Sequence, residues 1–431
     1  MSSTFHDRRA FLATSGALLA SAALPGAALA VQIAGARTAP AGGRFAPWRP
    51  GMLDIHHIAT GSGNAALFIL PDGTSMLIDA GAIYDRDRFA IAPLPSGKRR
   101  PGEWIGRYAK RHLRAAGRDE IDYFVLSHLH RDHMGEYVAG LPRSRHGDYR
   151  LTGITDVAEI VPVRRIIDRA FPDYAFPAPL TGASNENYIA FVRAQQRLGA
   201  IVQRFAPGSG SQIGLLRKAA DYPSFEIRNL YANGKLWTGQ GDSTRDLFPP
   251  EALPADGKPA AAPPTENECS VALRLRYGKF SYYTGGDVSN NTNFGADPWR
   301  DVETPIALAA GHVDVVAANH HGYVDSMGPE AVRALSPGNF IIMTWDSAHP
   351  SIPALFNMLS KRLYPGERGV YATAVKPENE VATKDIAKLA SRNGHVVVRV
   401  APGGEQYSIV VLDSSSETDR VLAEHGPFQC G

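Results

Sequence analysis

Apolar and polar positions along the chain alternate with a period of two in several short stretches and follow a helical period in others, and the two kinds interleave. Runs at 52–59, 65–70 and 75–79 read as strands. A helix follows over 102–117, where Ile105, Ala109 and Leu113 keep i, i+4 spacing with Trp104 and Tyr108 beside them. Tyr123-Phe124-Val125-Leu126 is an apolar run without alternation, as a buried strand would be. Farther on, Val271, Leu273, Leu275 and Tyr277 alternate against Ala272, Arg274 and Arg276. Gly278-Lys279 then turns the chain into a partner strand leading to Asp287, a half-buried hairpin. Strands near 313–318, 339–345, 395–401 and 406–412 and helices near 352–362 and 380–393 complete the pattern. Such interleaving predicts an α/β chain with two sheets between helical layers.

Between Met134 and Glu266 the pattern is weakest, with Pro, Gly and aromatic residues scattered through it and a Pro/Ala-rich run, Phe248 to Pro264, at its end. One helix with an apolar face is suggested there by Tyr188, Phe191, Val192 and Leu198. A long irregular stretch beside a site tends to shape the substrate, so an insert around 141–265 is expected. The candidate chemistry comes from both sides of it, which predicts one domain over 51–431 after a linker at 31–50.

The first thirty residues read differently. Asp7-Arg8-Arg9-Ala10-Phe11-Leu12, an uncharged Ala/Leu-rich run to Ala23, then Pro25 and Ala28-Leu29-Ala30 have the parts of a twin-arginine export signal cleaved after Ala30. The expected partner is the twin-arginine machinery and the expected location periplasmic or secreted. No later stretch is apolar for long enough to span a membrane. Charge changes the picture little: 45 Lys and Arg stand against 43 Asp and Glu. That balance gives no broad field to draw in a polyanion, so nucleic acid is possible as a partner but not indicated. The two cysteines, Cys269 and Cys430, do not make a disulfide framework, and no structural bridge is expected.

The strongest chemical signal is His128-Leu129-His130-Arg131-Asp132-His133, directly after the Tyr123–Leu126 run. Side chains two apart in an extended segment point to the same side, so His128 and His130 can grip one cation. Asp132 and His133 turn toward a second position nearby with a carboxylate and an imidazole. Two adjacent metal positions are implied.

This run resembles the signature of the metallo-β-lactamase superfamily, and three further segments match in order. Ser75-Met76-Leu77-Ile78-Asp79-Ala80-Gly81 is similar to the early strand whose aspartate, here Asp79, orients the ligands. Ser281-Tyr282-Tyr283-Thr284-Gly285-Gly286-Asp287 is similar to the strand ending in a metal-bridging Asp, here Asp287. Asn319-His320-His321-Gly322 resembles the segment with the last histidine ligand. A narrower likeness, over roughly 50–412, is to the soluble hydrolase domain of ComEC-type DNA-uptake proteins. It adds Gly61-Ser62-Gly63-Asn64, Glu266-Asn267-Glu268-Cys269-Ser270 and His349-Pro350. Tyr323 stands where that group has a small hydroxyl residue, and Ser62-Gly63-Asn64 where it has Gln-Gly-Asp.

The resemblance implies an αββα sandwich, one or two divalent ions (zinc or manganese), and metal ligands His128, His130, Asp132, His133, Asp287 and His320. Asp132, His321 and His349 are the candidates to work on the substrate, with the choice between His320 and His321 as ligand left open. The third histidine used by the best-known zinc hydrolases of this fold is missing: His146, the one histidine in that interval, follows too soon after His133. Two cations sharing a carboxylate lower the pKa of a trapped water and clamp two phosphoryl oxygens, so hydrolysis of a small or polymeric phosphodiester is the expected reaction. Lactone, β-lactam or other carbonyl hydrolysis is the alternative on the same fold, and a non-catalytic metal-binding protein a remoter one.

Overall fold

The computed structural model describes residues 42–84, 89–255, 258 and 260–431; the expected export signal, its expected cleavage site and most of the expected linker lie outside them. Two mixed sheets carry the architecture. The first has nine strands, in spatial order Val421–Gln429, Gln406–Leu412, His395–Val400, Leu53–His57, Ala66–Ile69, Ser75–Ile78, Ile121–Val125, Val163–Asp168 and Ile201–Arg204. Its pairings are antiparallel up to Ser75–Ile78 and parallel beyond. The second has eight: Gly369–Ala372, Asn339–Ile342, Val315–Ala317, Phe280–Thr284, Ala272–Tyr277, Phe225–Ala232, Lys235–Trp237 and Thr244–Asp246. There the first four strands are parallel and the rest antiparallel.

Residue parity along each strand sorts side chains into three apolar layers. Met76, Ile78, Tyr123 and Val125 meet Leu273, Leu275, Tyr282, Val315 and Ile341 in the layer between the sheets. The other parity points outward. Leu77 and Phe124 pack under Ile105, Ala109 and Leu113 of the helix Pro101–Ala115, while Tyr283, Val316 and Phe340 pack under Ile306, Val332 and Leu355. Helices therefore cover both outer faces, and the fold is an αββα sandwich.

The predicted 271–277 hairpin is present as Ala272–Tyr277 paired with Phe280–Thr284. The weakly patterned middle is more regular than its composition predicts. It contains the helix Ala183–Arg197, two strands at one edge of the first sheet and three at the edge of the second. Val163–Asp168 escaped the pattern because Arg164 and Arg165 interrupt it: Arg164 pairs with Glu120 and Arg165 stacks on Tyr123. The helix expected over 380–393 is instead a short helix, Pro377–Ala382, and a 3-10 turn, Lys384–Lys388. Thr383 breaks it at φ −120°.

Both sheets deliver the C-terminal ends of parallel strands to one edge of the sandwich. Asp79 follows Ser75–Ile78, His128 follows Ile121–Val125, Asp287 follows Phe280–Thr284, and His320 and His321 follow Val315–Ala317. Loops at such ends are where α/β sheets bind ligands.

Candidate metal centre

Asp287 lies at the centre of the cluster. Its Oδ2 is 3.1 Å from His133 Nε2, 3.5 Å from His128 Nε2 and 3.6 Å from His321 Nε2. Around it two donor sets form: His128, His130 and Asp287, and Asp132, His133, Asp287 and His321. Within the first, His128 Nε2 and His130 Nδ1 are 3.0 Å apart; in the second, His321 Nε2 and Asp132 Oδ2 are 3.1 Å apart. Imidazole nitrogens and carboxylate oxygens converging without an intervening lysine or arginine are what zinc or manganese accepts. The residues present fit divalent metal.

The ring nitrogens facing away from the cluster are held by partners that fix ring orientation. Asp79, buried and at φ 59°, accepts from His133 Nδ1 at 2.8 Å, Ser127 Oγ at 2.8 Å, Asn64 Nδ2 at 3.0 Å and the Ser127 N–H at 2.8 Å. His321 Nδ1 donates to the Met343 carbonyl at 2.8 Å. Glu266 accepts from the Leu129 N–H, between the first two histidines, at 2.7 Å and is itself gripped by the buried Arg169.

Of the two adjacent histidines, the geometry gathers His321, not His320, into the donor sets. His320 Nε2 stands farther from Asp287, at 3.8 Å, and its Nδ1 meets Asp325 Oδ1 at 2.6 Å. Both have positive φ, 45° and 54°, an uncommon pair of left-handed residues. One buried carboxylate secures their loop. Glu303 Oε1 accepts from Asn319 Nδ2 at 2.9 Å and the Met327 N–H at 2.6 Å, and Oε2 from the Gly328 N–H at 2.9 Å and Asn290 Nδ2 at 2.7 Å. Burial pushes this carboxyl up to about 7 against those four donors.

His349 stacks on His321 with ring centroids 4.8 Å apart, closes against Trp345 and Tyr323, and its Nδ1 has no hydrogen-bond partner. Burial, then the neighbouring His321, hold it well below the usual imidazole range. Burial, then the neighbouring His133, holds His128 well below the imidazole range, whereas at Asp287, Asp132 and His321 burial opposes the charged form and the neighbouring imidazoles and carboxylates outweigh it. Asp287 and Asp132 are held well below the carboxylate range, and His321 is raised to about 9.

His146 sits elsewhere, near Arg145 and Glu159, so it supplies no third histidine to the first set. Cys269 and Cys430 are both free and buried, with burial pushing each thiol up to about 12. Asp325, Glu303 and Trp345 carry no spacing signal in the sequence. Asn64 and Glu266 lie in the Gly61–Asn64 and Glu266–Ser270 segments that carry the family resemblance, which by itself gives them no role.

No protein family model matches the chain, and no curated protein matches it. Among solved structures it is similar to a mutant of CmlA beta-hydroxylase, with 13% identity, 82% of this chain and 54% of that one covered, and a TM-score of 0.38. It is also similar to a diphosphatase of the PhnP family, with 10% identity, 81% and 98% covered, and a TM-score of 0.33. The chain thus spans about half the length of the first, 54%. At these identities and TM-scores the likeness carries no argument about fold or substrate. Among the described residues no helix is long and apolar enough to cross a membrane.

Proposed function

We propose that this chain is a metal-dependent hydrolase of the metallo-β-lactamase type, exported by the twin-arginine route, that cleaves phosphodiester bonds. The observation that carries the reading is the shared carboxylate: Asp287 Oδ2 lies within 3.6 Å of imidazoles from both donor sets. His128, His130 and Asp287 would hold one divalent ion, and Asp132, His133, Asp287 and His321 a second. When bound, such a pair supplies an activated water at neutral pH and neutralises phosphoryl oxygens.

The chain's own residues do the rest. Asp79 and the Met343 carbonyl fix His133 and His321 with Nε2 turned inward. Asp325 holds His320 by Nδ1, leaving Nε2 3.8 Å from Asp287 and 3.4 Å from Asn267 Nδ2, where it can contact a phosphoryl oxygen or protonate a leaving oxygen. His349, buried with an unpartnered Nδ1 against His321, is the second group placed for that work. The first donor set has three protein ligands. A phosphodiester offers two non-bridging oxygens to complete two such positions, whereas a carbonyl offers one.

The test is a side-by-side assay with matched metal loading. Bis(p-nitrophenyl) phosphate should be cleaved with manganese or zinc, lost on chelation, and preferred over β-lactams and lactones by at least roughly tenfold in kcat/KM. Faster lactone or β-lactam cleavage overturns the phosphodiester assignment.

A further inference from the structure

The metal centre opens on two sides, and the two openings differ in character. A cleft of about 460 Å³ lies between His130, Asp132 and the segment 181–185; Arg131 and the hydroxyl and amide groups of Thr181, Ser184 and Asn185 line it, with Ile83, Leu129 and Met134 beside them. A second cleft, of about 450 Å³, runs past His320 and His349 and is walled by Phe89, Tyr323 and Trp345, with Asp346 and Ser347 as its further polar members. Trp345 borders both.

The second cleft leads onto an apolar rim. The Ser351 N–H donates to the Gly322 carbonyl at 2.8 Å, which seats Tyr323 and Val324 beside the start of the helix Ile352–Leu359. That helix turns Ile352 and Phe356, four residues apart on one face, to solvent at 59% and 61% exposure; Val324 is 54% exposed and Phe89 48%. Large apolar side chains gathered at one place on a surface mark a contact site. With Tyr323 they offer on the order of 500 Å², short of the roughly 800 Å² that each partner buries in a stable dimer but ample for one alkyl chain.

A phosphodiester carries two organic arms on one phosphorus. With the phosphoryl group at Asp287 and its histidines, one arm enters each cleft, and cleft polarity sorts them. We propose that the substrate is an amphiphilic phosphodiester, the chemical class of phospholipids, with its polar arm in the Thr181–Asn185 cleft and its hydrocarbon arm across Tyr323, Val324, Ile352 and Phe356. This rests on the phosphodiesterase reading and names its substrate class.

The experiment uses p-nitrophenyl alkyl phosphates from ethyl to decyl, below their micelle concentrations, with manganese-loaded protein. Water adds at phosphorus, the aryl P–O bond breaks, and p-nitrophenolate is released. The expected result is a rise in kcat/KM of at least tenfold from ethyl to decyl. Ile352→Ser with Phe356→Ser, both at exposed positions, should flatten the rise and leave the ethyl ester within twofold. A flat series in the native protein, or a higher rate on thymidine 5′-(p-nitrophenyl phosphate) than on the decyl ester, overturns the proposal. If the ethyl ester is not cleaved at all, the phosphodiesterase reading fails by itself. Titration with monomeric dodecylphosphocholine then decides the rim: Kd at least tenfold weaker in the double variant supports it, and equal Kd overturns it.

Discussion

Set beside the histidines at the strand ends, a second group, His56, His112 and His395, packs as closely around Tyr108 on the outer side of the nine-stranded sheet. Ring centroids there are 4.5 Å apart for His56 and His112 and 4.5 Å for Tyr108 and His395, against 4.1 Å and 4.6 Å for His128 with His133 and with His130. The carboxylates differ. Asp54 is held by Arg399 at 2.9 and 2.7 Å and Asp419 by Arg111 at 2.8 Å, so each has its own cation. His56 Nδ1 meets the Tyr108 hydroxyl and His395 Nδ1 accepts the Ala59 N–H. Burial, then His112, hold His56 well below the imidazole range, and His395 falls to about 3 for the same reasons. At the strand ends no arginine among the described residues pairs with Asp287, and four imidazoles, His320 the farthest at 3.8 Å, face one of its oxygens. Crowded histidines therefore do not define a metal centre; a carboxylate left for them to share does. Among the described residues, the groups able to hold metal exclude the second cluster.

The contrast breaks most completely at the shared oxygen. Asp287→Asn should reduce phosphodiester turnover on the order of a thousandfold, because it removes an anionic donor from both sets at once. Circular dichroism should show the fold retained, since the residue lies in a loop beyond a strand. Near-normal turnover at saturating metal would remove Asp287 from the centre of the account.

A smaller loss separates substrate handling from metal holding. His349→Ala should lower kcat by about ten- to a hundredfold while metal affinity, read by competition with a chelating dye, changes little. An equal fall in both would make His349 a ligand. Next comes the loop hub. Glu303→Gln replaces an acceptor of four hydrogen bonds by a group that must also donate, so the His320-His321 loop loosens. Metal affinity should fall by roughly ten- to a hundredfold, with loss of the ion held through His321 first. Unchanged affinity would show that the loop holds its conformation without Glu303.

The least effect on function is expected at the second cluster. His395→Gln keeps an acceptor for the Ala59 N–H and should leave metal content and turnover intact. What it changes is the response to acid. His395 is neutral in the folded protein because its pKa is lowered from 6.5 to about 3. Its contribution is complete above about 6.5 and is lost as pH falls toward 3, because the unfolded chain takes up the proton first. At pH 4 that amounts to about 3 kcal/mol. Thermal midpoints of metal-free protein should fall less steeply between pH 6.5 and 4 in the variant than in the native chain. Parallel curves would contradict the assignment.

Strands with clean apolar runs, such as Ser75–Ile78 and Phe280–Thr284, and the ligands that follow them were legible because both sheets bury both faces and leave few polar interruptions. Val421–Gln429 was not, since Gly426-Pro427 interrupts an edge strand where a missing N–H is tolerated. The His128–His133 run shows its own geometry because its spacing is local. The choice between His320 and His321 is not local. It is set by two left-handed residues in a loop tied to Glu303, seventeen positions upstream of the first. Trp345 reaches the cluster by tertiary folding, and Asp325 from five residues farther along the loop of His320, in a spacing that has no signature of its own.

The most direct test of the shared-carboxylate centre is metal stoichiometry by elemental analysis after dialysis against manganese or zinc, for the native protein, His128→Ala and His395→Gln together. Two ions per chain are expected in the native protein and in His395→Gln, and one in His128→Ala. No bound metal in the native protein, or equal loss from both variants, would contradict the shared-carboxylate centre.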